Sequence, residues 1–471
     1  MKTIKDLFDI NSDNIIKNIK TSSSTLEEGD LFVCIKGVKK DRHKYIKDAI
    51  KKKPSGIVVS KKKYKKKQEI KGTPIIYVEN TNEELLRICK VFYDNPEDKL
   101  NIIAVTGTDG KTTTSKVLSN ILSAGYIGTV GASYKDYKEN INNTTPSLEQ
   151  RYRILNEFIK LGCKTVVMEV SSEAIYRKRM EGSTYNTSIL TNITKDHLNI
   201  HKTIDNYIKC KGQVFLNTKD LCILNRDDKN YTKIKKYCNT NIKTYGFNKN
   251  SDLRIINYKS DINKTVFEIK YKNKKYKLQT NYLGKYNVYN ICACILYLLE
   301  NNYKILKIKK SIKNLPKVVG RFEVFKTYKG SYCVLDYAHT ANGLKEVLEL
   351  LNTIKKTKVI TVSGSAGGRD KTKRKEMGNI ILDNSDYVYF TTDDPRYENP
   401  RTIIKQMIGK NKKKNYTIEL NRSKAISKSI KESNKDDLIL IAGKGRDNYM
   451  AIKNKKIPYN DYNEIKKASQ I

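Results

Sequence analysis

The sequence predicts an α/β protein of three regions built on largely parallel sheets, and three observations predict it. Short apolar, β-branched runs alternate with helical stretches along most of the chain, as strands buried on both faces do between crossover helices. One such run, Leu100 to Val105, leads into a glycine-bearing turn and then a helical stretch, the strand–loop–helix order of a phosphate-binding unit. At 471 residues the chain exceeds one core, so two or three domains are expected.

The first region has strand-like runs at Leu31-Phe32-Val33-Cys34-Ile35, Gly56-Ile57-Val58-Val59 and Pro74-Ile75-Ile76-Tyr77-Val78. A helical stretch lies around Tyr45 to Lys53, and an amphipathic helix spans Thr81 to Tyr93. This small α/β unit occupies residues 1–99. The second region, residues 100–318, opens on the strand ending at Val105 and continues with buried strands at Thr165 to Met168, Thr187 to Leu190 and Leu221 to Leu224. A helix is expected from Ser115 to Ala124. Leu253 to Leu278 alternates Lys, Tyr and Ile and reads as an antiparallel hairpin or sheet edge. The third region, residues 319–471, places strands at Tyr332 to Leu335, Val359 to Val362, Tyr387 to Phe390 and Leu438 to Ile441. Helices alternate with them, giving a second doubly wound, Rossmann-like unit.

Bulk composition excludes several classes. Hydrophobic residues make 38% and charged residues 30%, which suits a globular protein and not a disordered one. No run reaches the roughly eighteen apolar residues of a membrane span, and the N-terminus lacks an apolar signal core. The nine cysteines are scattered, with no Cys-x-x-Cys pair, and read as buried thiols of a reducing compartment, so a cytoplasmic location is expected. The net charge of +42 invites a nucleic-acid-binding reading. Abundant Lys, Asn, Ile and Tyr with no Trp point instead to compositional drift, and runs such as Lys51 to Lys53 and Lys61 to Lys67 read as solvated faces or loops.

The chemistry centres on Thr106-Gly107-Thr108-Asp109-Gly110-Lys111-Thr112-Thr113-Thr114. A glycine-rich turn between strand and helix lets backbone N–H groups wrap a phosphate at the positive end of the helix. Lys111 can reach the β- and γ-phosphates, and the Thr112 hydroxyl can bind magnesium. Val105 stands where the general P-loop pattern has glycine, leaving a shortened Gly-x-x-Gly-Lys-Thr spacing. Glu169 ends a strand of the same region, a position suited to holding magnesium beside such a loop. His197 and His201, two of only four histidines, flank the segment after Asp196.

The Thr106 to Thr114 segment resembles the ATP loop of the Mur ligases, a superfamily that includes the folylpolyglutamate synthetases. Met168-Glu169-Val170-Ser171-Ser172, Thr191-Asn192 and Asp196-His197-Leu198 are similar to the branch that builds the muramoyl tripeptide. That resemblance implies a three-domain fold: a UDP-binding domain, a central ATPase domain and a C-terminal ligase domain that receives the incoming amino acid. It implies ATP and Mg2+ as cofactors, with Gly107, Thr108, Asp109, Gly110, Lys111, Thr112 and Thr113 on the nucleotide. Thr112, Glu169, His197 and a carbamylated Lys211 are implied at magnesium. Lys111, Lys211, His197 and Arg321 are implied in catalysis, Arg321 as a clamp on the γ-phosphate from Gly320-Arg321-Phe322-Glu323. Asn287 and Asn290 are implied near adenine, and Asp336 of Asp336-Tyr337-Ala338-His339-Thr340 at the ribose.

On the substrate side, the likeness implies Ser23, Thr144, Thr145, Ser171 and Arg179 around the muramoyl dipeptide, and Asp394, Arg396, Gly443 and Asp447 around the amino acid. The sequence departs from the family at several of these segments. Ser22-Ser23-Ser24 replaces Asp-Ser-Arg, Glu173 replaces a histidine, and Ala341 replaces a proline. Asp393-Asp394-Pro395-Arg396 replaces Asp-Asn-Pro-Arg, and Gly443-Lys444-Gly445-Arg446-Asp447 replaces Gly-Lys-Gly-His-Glu. Arg396 suits the distal carboxylate of meso-diaminopimelate, whereas Asp394 leans toward the free ammonium of L-lysine. The implied activity joins one of these diamino acids to UDP-N-acetylmuramoyl-L-alanyl-D-glutamate through an acyl-phosphate. The enzyme is expected to be monomeric, with no nucleic-acid partner and no membrane insertion. A sister ligase of folylpolyglutamate type acting on another carboxylate is the alternative, and a nucleic-acid-binding P-loop protein is a remote one.

Overall fold

The computed structural model describes residues 2–37, 41–62 and 69–470. Residues 63–67 of the lysine-rich run therefore lie outside the described residues, while Lys61 pairs with Glu79 at 3.2 Å on the surface. The contacts divide the chain into two compact units, each made from two stretches: residues 1–104 with 124–186, and residues 105–123 with 187–471.

In the first unit, strands β1 (Ile19–Lys20), β2 (Leu31–Val33), β3 (Gly56–Ser60), β4 (Glu69–Ile70) and β5 (Thr73–Val78) form a sheet in the order β1-β2-β3-β5-β4. All pairs are parallel except the edge strand β4 on β5. The two-residue period of a strand sends Leu31, Val33, Val58 and Ile76 to one face, with Leu85 and Ile88 of helix α1 (Thr81–Phe92). Phe32, Ile57, Val59 and Ile75 go to the other face, with Ile46 and Ala49. Covering both faces is why these strands read as continuous apolar runs. The helix expected from Tyr45 to Lys53 is shorter, Ile46–Ile50, because Arg42–Tyr45 winds as a 3-10 turn capped by the Asp41 side chain. The same unit holds strands β6 (Asn101–Thr106), β7 (Gly125–Gly128), β8 (Gly131–Tyr134), β9 (Tyr137–Glu139) and β10 (Thr165–Glu169), ordered β6-β10-β7-β8-β9.

The second unit contains helix α2 (Lys111–Leu122) and strands β11 (Tyr185–Leu190), β12 (Thr218–Asn225), β13 (Asn241–Gly246), β14 (Leu253–Ser260), β15 (Thr265–Tyr271) and β16 (Lys274–Thr280). The order is β16-β15-β14-β13-β12-β11. β12, β13 and β14 run parallel, and β14, β15 and β16 antiparallel, so the alternating Leu253 to Leu278 segment is the expected antiparallel edge. Helix α2 begins four residues before the expected Ser115, because Gly110 takes a φ of +83° as its N-cap and lets the turn tighten directly into Lys111. Helices α3 (Ile204–Leu216) and α4 (Lys285–Glu300) follow; α4 is buried on nearly every side.

A further sheet of this unit comprises β17 (Glu323–Lys326), β18 (Tyr332–Asp336), β19 (Val359–Ser363), β20 (Tyr387–Phe390), β21 (Tyr416–Ile418) and β22 (Leu438–Ala442), in the order β17-β18-β22-β19-β20-β21. Only β17 is antiparallel. One face packs on Leu344, Leu348 and Leu351 of helix α5 (Ala341–Ile354), the other on Ala425, Ile426 and Ile430 of helix α6 (Arg422–Lys431), the doubly wound arrangement expected. A hairpin of β23 (Tyr449–Ile452) and β24 (Lys455–Pro458) was not legible in the sequence. Its tip residue Lys453 has φ +52°, a turn without the usual glycine signal. All nine cysteines are free thiols, and seven are buried. Among the described residues, no helix is long and apolar enough to cross a membrane.

Candidate active site

The loop after β6 is tied down from two sides. Thr108 N donates to Asn192 O at 2.8 Å, and Asp109 N to Asn192 Oδ1 at 3.0 Å. Thr191 Oγ1 donates to Asp109 O at 2.6 Å. Two glycines are sterically required. A Cβ on Gly107 would fall 1.8 Å from Thr191 Oγ1, and one on Gly110 would fall 2.3 Å from Asn290 Oδ1. The N-terminal turn of α2 therefore presents its backbone N–H groups at the end of a closely packed loop, the arrangement that receives an anion.

Lysines converge on this loop. Lys111 Nζ donates to Gly107 O and Thr108 O, each at 2.8 Å. Lys211 Nζ, from the middle of α3, donates to the same Gly107 carbonyl at 2.7 Å and lies 4.7 Å from the centre of the Tyr207 ring. Burial, then the neighbouring Lys111 charge, pushes the Lys211 ammonium well below the ordinary lysine range. A buried amine in this state is available for covalent chemistry that a surface lysine resists.

The predicted adenine residues are buried beside the loop on α4. Asn290 accepts from Thr114 Oγ1 at 3.3 Å and donates to Asn287 Oδ1 at 3.3 Å. Asn287 in turn donates to Leu283 O at 2.8 Å. Arg321 extends from the turn before β17 to place Nη2 3.3 Å from Thr112 Oγ1, with its guanidinium 4.6 Å from the centre of the Tyr337 ring. Asp336, at the end of β18, accepts from Phe322 N at 2.8 Å and Ala338 N at 2.7 Å. Burial raises its carboxyl above the usual range, although Arg321 opposes this. The same segment reaches the loop, since Thr340 Oγ1 donates to Asp109 Oδ1 at 3.0 Å.

His197 takes a left-handed φ of +55°, and its Nε2 lies 3.5 Å from Asp196 Oδ2. Burial, with Lys111, Lys211 and Lys373 nearby, keeps the imidazole below its ordinary pKa against the pull of Asp196, leaving it neutral and able to act as a ligand. Burial disfavours the Asp196 carboxylate, yet Lys373 at 3.2 Å, His197 and His339 hold it well below the usual range. Lys373 lies in the segment Gly364 to Arg374, which fits the family in sequence, but the run Lys371-Thr372-Lys373-Arg374 gave no sign which cation turns inward, and no role was assigned to it.

In the first unit, the predicted substrate residues gather around Glu169, which is fully buried. Its carboxylate accepts from Tyr126 OH at 2.5 Å, Thr129 N at 3.0 Å and Thr129 Oγ1 at 3.1 Å. Thr129 Oγ1 also donates to Thr144 Oγ1 at 3.1 Å. Thr145 Oγ1 donates to Glu169 O at 2.9 Å and accepts from Ser171 N at 3.1 Å, while Arg179 Nη1 donates to Thr145 O at 3.2 Å. Ser23 lies apart on the short turn Ser23–Thr25, half-exposed.

The third region holds an internal ion cluster. Lys444 Nζ, almost wholly buried, lies 2.8 Å from Asp394 Oδ1, 3.8 Å from Asp393 Oδ1 and 3.9 Å from Asp447 Oδ2. Ala451 N also donates to Asp394 Oδ1 at 3.0 Å. The Asp394 charge is thus compensated within the chain. Burial, more than its acidic neighbours, pushes Asp447 up to about 6. Gly443 takes φ +113° and donates its N–H to Asp336 O at 3.1 Å. Arg396 (φ +51°) lines a cavity of about 640 Å³ with Thr392, Asn399, Asn421 and Met450. Its guanidinium makes no ion pair among the described residues; burial, then Arg369, lowers its pKa against the pull of Asp394 and Asp393.

Among the described residues, no three His, Cys, Asp or Glu side chains converge into a ready metal cage. The donor types nonetheless fit magnesium. It keeps several waters and binds through one or two carboxylates plus substrate phosphates; the first unit offers the buried Glu169 carboxylate, and the second offers the Thr112 hydroxyl and neutral His197.

The chain is similar to known proteins along most of its length. Residues 105–298 match the Mur ligase middle domain, and residues 320–445 the Mur ligase glutamate ligase domain. UDP-N-acetylmuramoyl-L-alanyl-D-glutamate–2,6-diaminopimelate ligase 1 of Clostridium acetobutylicum is 36% identical over 453 residues, covering 95% of this chain and 93% of that protein. The solved structure of a UDP-N-acetylmuramoyl-L-alanyl-D-glutamate–2,6-diaminopimelate ligase aligns over 100% of this chain and 99% of its own, with TM-score 0.64 and 22% identity. The MurF ligase of Thermotoga maritima in complex with ADP aligns with TM-score 0.69 and 20% identity, over 92% of this chain and 95% of its own.

Proposed function

We propose a specific reaction for this chain, which belongs to the Mur ligase family and is an ATP-dependent ligase. It forms an amide between the D-glutamyl carboxylate of UDP-N-acetylmuramoyl-L-alanyl-D-glutamate and an amine of meso-diaminopimelate, with ATP cleaved to ADP and phosphate. The observation that carries the choice of amino acid is Arg396, a guanidinium on the cavity wall that makes no ion pair among the described residues. It suits the distal carboxylate of diaminopimelate, a group that lysine lacks. Asp394, which could have favoured lysine, has its charge taken up by Lys444 at 2.8 Å.

The chemistry runs in two steps. A carboxylate oxygen attacks the γ-phosphorus, the bond to the β,γ-bridging oxygen breaks, and ADP leaves with that electron pair. The amine then attacks the acyl carbon, phosphate leaves, and the amine proton passes to solvent. Lys111, released from the Gly107 and Thr108 carbonyls, and Arg321, beside Thr112, would meet charge building on the transferred phosphoryl group. The first-turn N–H groups of α2 hold the phosphates, and Asn287 and Asn290 lie beside that turn on the side assigned to adenine. Asp336 serves the ribose. In the second unit Thr112 and His197 would hold Mg2+, with Lys211 as a carbamate, and Glu169 of the first unit is assigned to magnesium by the family resemblance; bound metal would supply Lewis-acid neutralisation of phosphate charge. The lowered pKa of Lys211 supports the carbamate, since only the neutral amine adds carbon dioxide.

Thr144, Thr145, Ser171 and Arg179 are assigned to the muramoyl dipeptide, with Ser23 toward the uridine diphosphate. Asp394, Arg396, Gly443 and Asp447 are assigned to the amino acid. The working division of labour is residues 1–99 for the UDP-substrate, 100–318 for ATP and 319–471 for the amino acid, in a cytoplasmic monomer. The test is the mass of the product formed from ATP, the UDP-dipeptide and each of a panel of amino acids.

A further inference from the structure

We propose that Arg446 is a positioning residue that couples the amino-acid pocket to the aim of Arg321; the inference rests on the ligase reading above. The segment Gly443 to Asp447 makes two sets of contacts. Lys444 and Asp447 belong to the ion cluster, with Lys444 Nζ 2.8 Å from Asp394. Arg446 grips Glu323 with a two-point fork, Nε to Oε1 at 2.9 Å and Nη2 to Oε2 at 2.6 Å. Its guanidinium also lies 3.4 Å from the centre of the Tyr462 ring, which fixes the plane of the fork.

Glu323 is the closing residue of the turn that carries Arg321. Its Oε1 accepts from Gly320 N at 2.6 Å, so one carboxylate joins Arg446 to the base of the turn. The turn is not self-supporting. Gly320 has φ +75°, and Phe322, which has a side chain, is held at φ +44° with its N–H on Asp336. The two segments also touch through backbone. A Cβ on Gly445 would fall 3.1 Å from Gly320 O, and one on Gly320 would fall 3.1 Å from Arg446 N. A shift of Gly443 to Asp447 when an amino acid enters is therefore passed to residues 320–323, and from there to Arg321, whose Nη2 is 3.3 Å from Thr112 Oγ1. Where the family usually has histidine, this chain has arginine, the side chain whose planar fork fits a carboxylate at two points.

The test is steady-state kinetics of the full-length enzyme with ATP and diaminopimelate varied separately, for wild type, Arg446→Met, Arg446→Lys, Glu323→Gln and Arg446→Met combined with Arg321→Lys. Misplacing Arg321 by about an ångström should lower kcat roughly tenfold to a hundredfold in Arg446→Met and Glu323→Gln. The KM for diaminopimelate should stay within about threefold, because the pocket contacts remain. Arg446→Lys should recover part of kcat through a single contact. In the Arg321→Lys background, Arg446→Met should cost less than about twofold, since both act on one contact. A merely structural Arg446 would give additive losses there, and that result overturns the proposal. So would an unchanged kcat, or a rise in KM alone. If the wild-type enzyme itself ligates no amino acid, the ligase reading fails instead, a distinct outcome from an active wild type that Arg446→Met leaves untouched.

Discussion

Replacing Lys444 by methionine removes one ammonium from among three carboxylates. In the native protein its Nζ lies 2.8 Å from Asp394, 3.8 Å from Asp393 and 3.9 Å from Asp447. At an effective dielectric of about 20, each such contact is worth roughly 4 kcal/mol of attraction. Desolvating the ammonium and crowding three acids offset much of this. What remains on deleting one partner of a buried pair is a loss of about 3–5 kcal/mol, because the other charges stay buried without compensation. For a unit of this size that corresponds to a fall of roughly 5–8 °C in the unfolding midpoint. The loss should depend on pH in one direction. As pH falls from about 8 to about 5.5, Asp447, whose carboxyl burial pushes up to about 6, takes up its proton, and the deficit shrinks. Differential scanning calorimetry of wild type and Lys444→Met at both pH values reads this directly. A midpoint within about 1 °C of wild type at the higher pH, or an equal deficit at both, would refute the internal-pair reading.

Three further outcomes follow from the same geometry. Asp447 is raised from 3.8 to about 6, so the folded state holds its proton more tightly than the unfolded chain, and stability falls as pH rises through that window. Asp447→Asn should flatten the decline between those two values in pH-dependent melting, and an unaltered slope would contradict the assignment. Lys111→Ala should abolish ligation in an assay of ADP release, since the cation nearest the phosphate loop is gone; full activity would refute the loop assignment. Arg396→Ala should raise the KM for diaminopimelate roughly tenfold to a hundredfold, the worth of a charge-assisted two-point contact, while the unfolding midpoint hardly moves. A KM equal to wild type would place the distal carboxylate elsewhere.

The parallel strands were legible because burial on both faces leaves runs such as Ile102 to Val105 and Leu438 to Ile441 without polar interruption. The phosphate loop was legible because two glycines at fixed spacing meet side chains that exclude any Cβ, Thr191 at Gly107 and Asn290 at Gly110. Contacts made across long sequence separations were not. Nothing local in Gly443-Lys444-Gly445 shows that Lys444 neutralises Asp394, fifty residues away, and Asp394 alone therefore suggested a binding site for an ammonium. The start of α2 was missed for a local reason. Three successive threonines argue against a helix by propensity, yet Thr112, Thr113 and Thr114 are buried and packed at its first turn. The β23–β24 hairpin turns at Lys453 and Asn454, residues that elsewhere in this lysine- and asparagine-rich chain mark ordinary surface.

Transfer of an ATP-activated carboxylate to the amine of diaminopimelate is tested with purified enzyme, ATP, Mg2+ and UDP-N-acetylmuramoyl-L-alanyl-D-glutamate, incubated with single amino acids and read by product mass. One ligated product is expected, formed with meso-diaminopimelate in preference to L-lysine, with one ADP released per amide. A product formed preferentially with lysine would contradict the role given to Arg396, and no product with any amino acid would contradict the reaction itself.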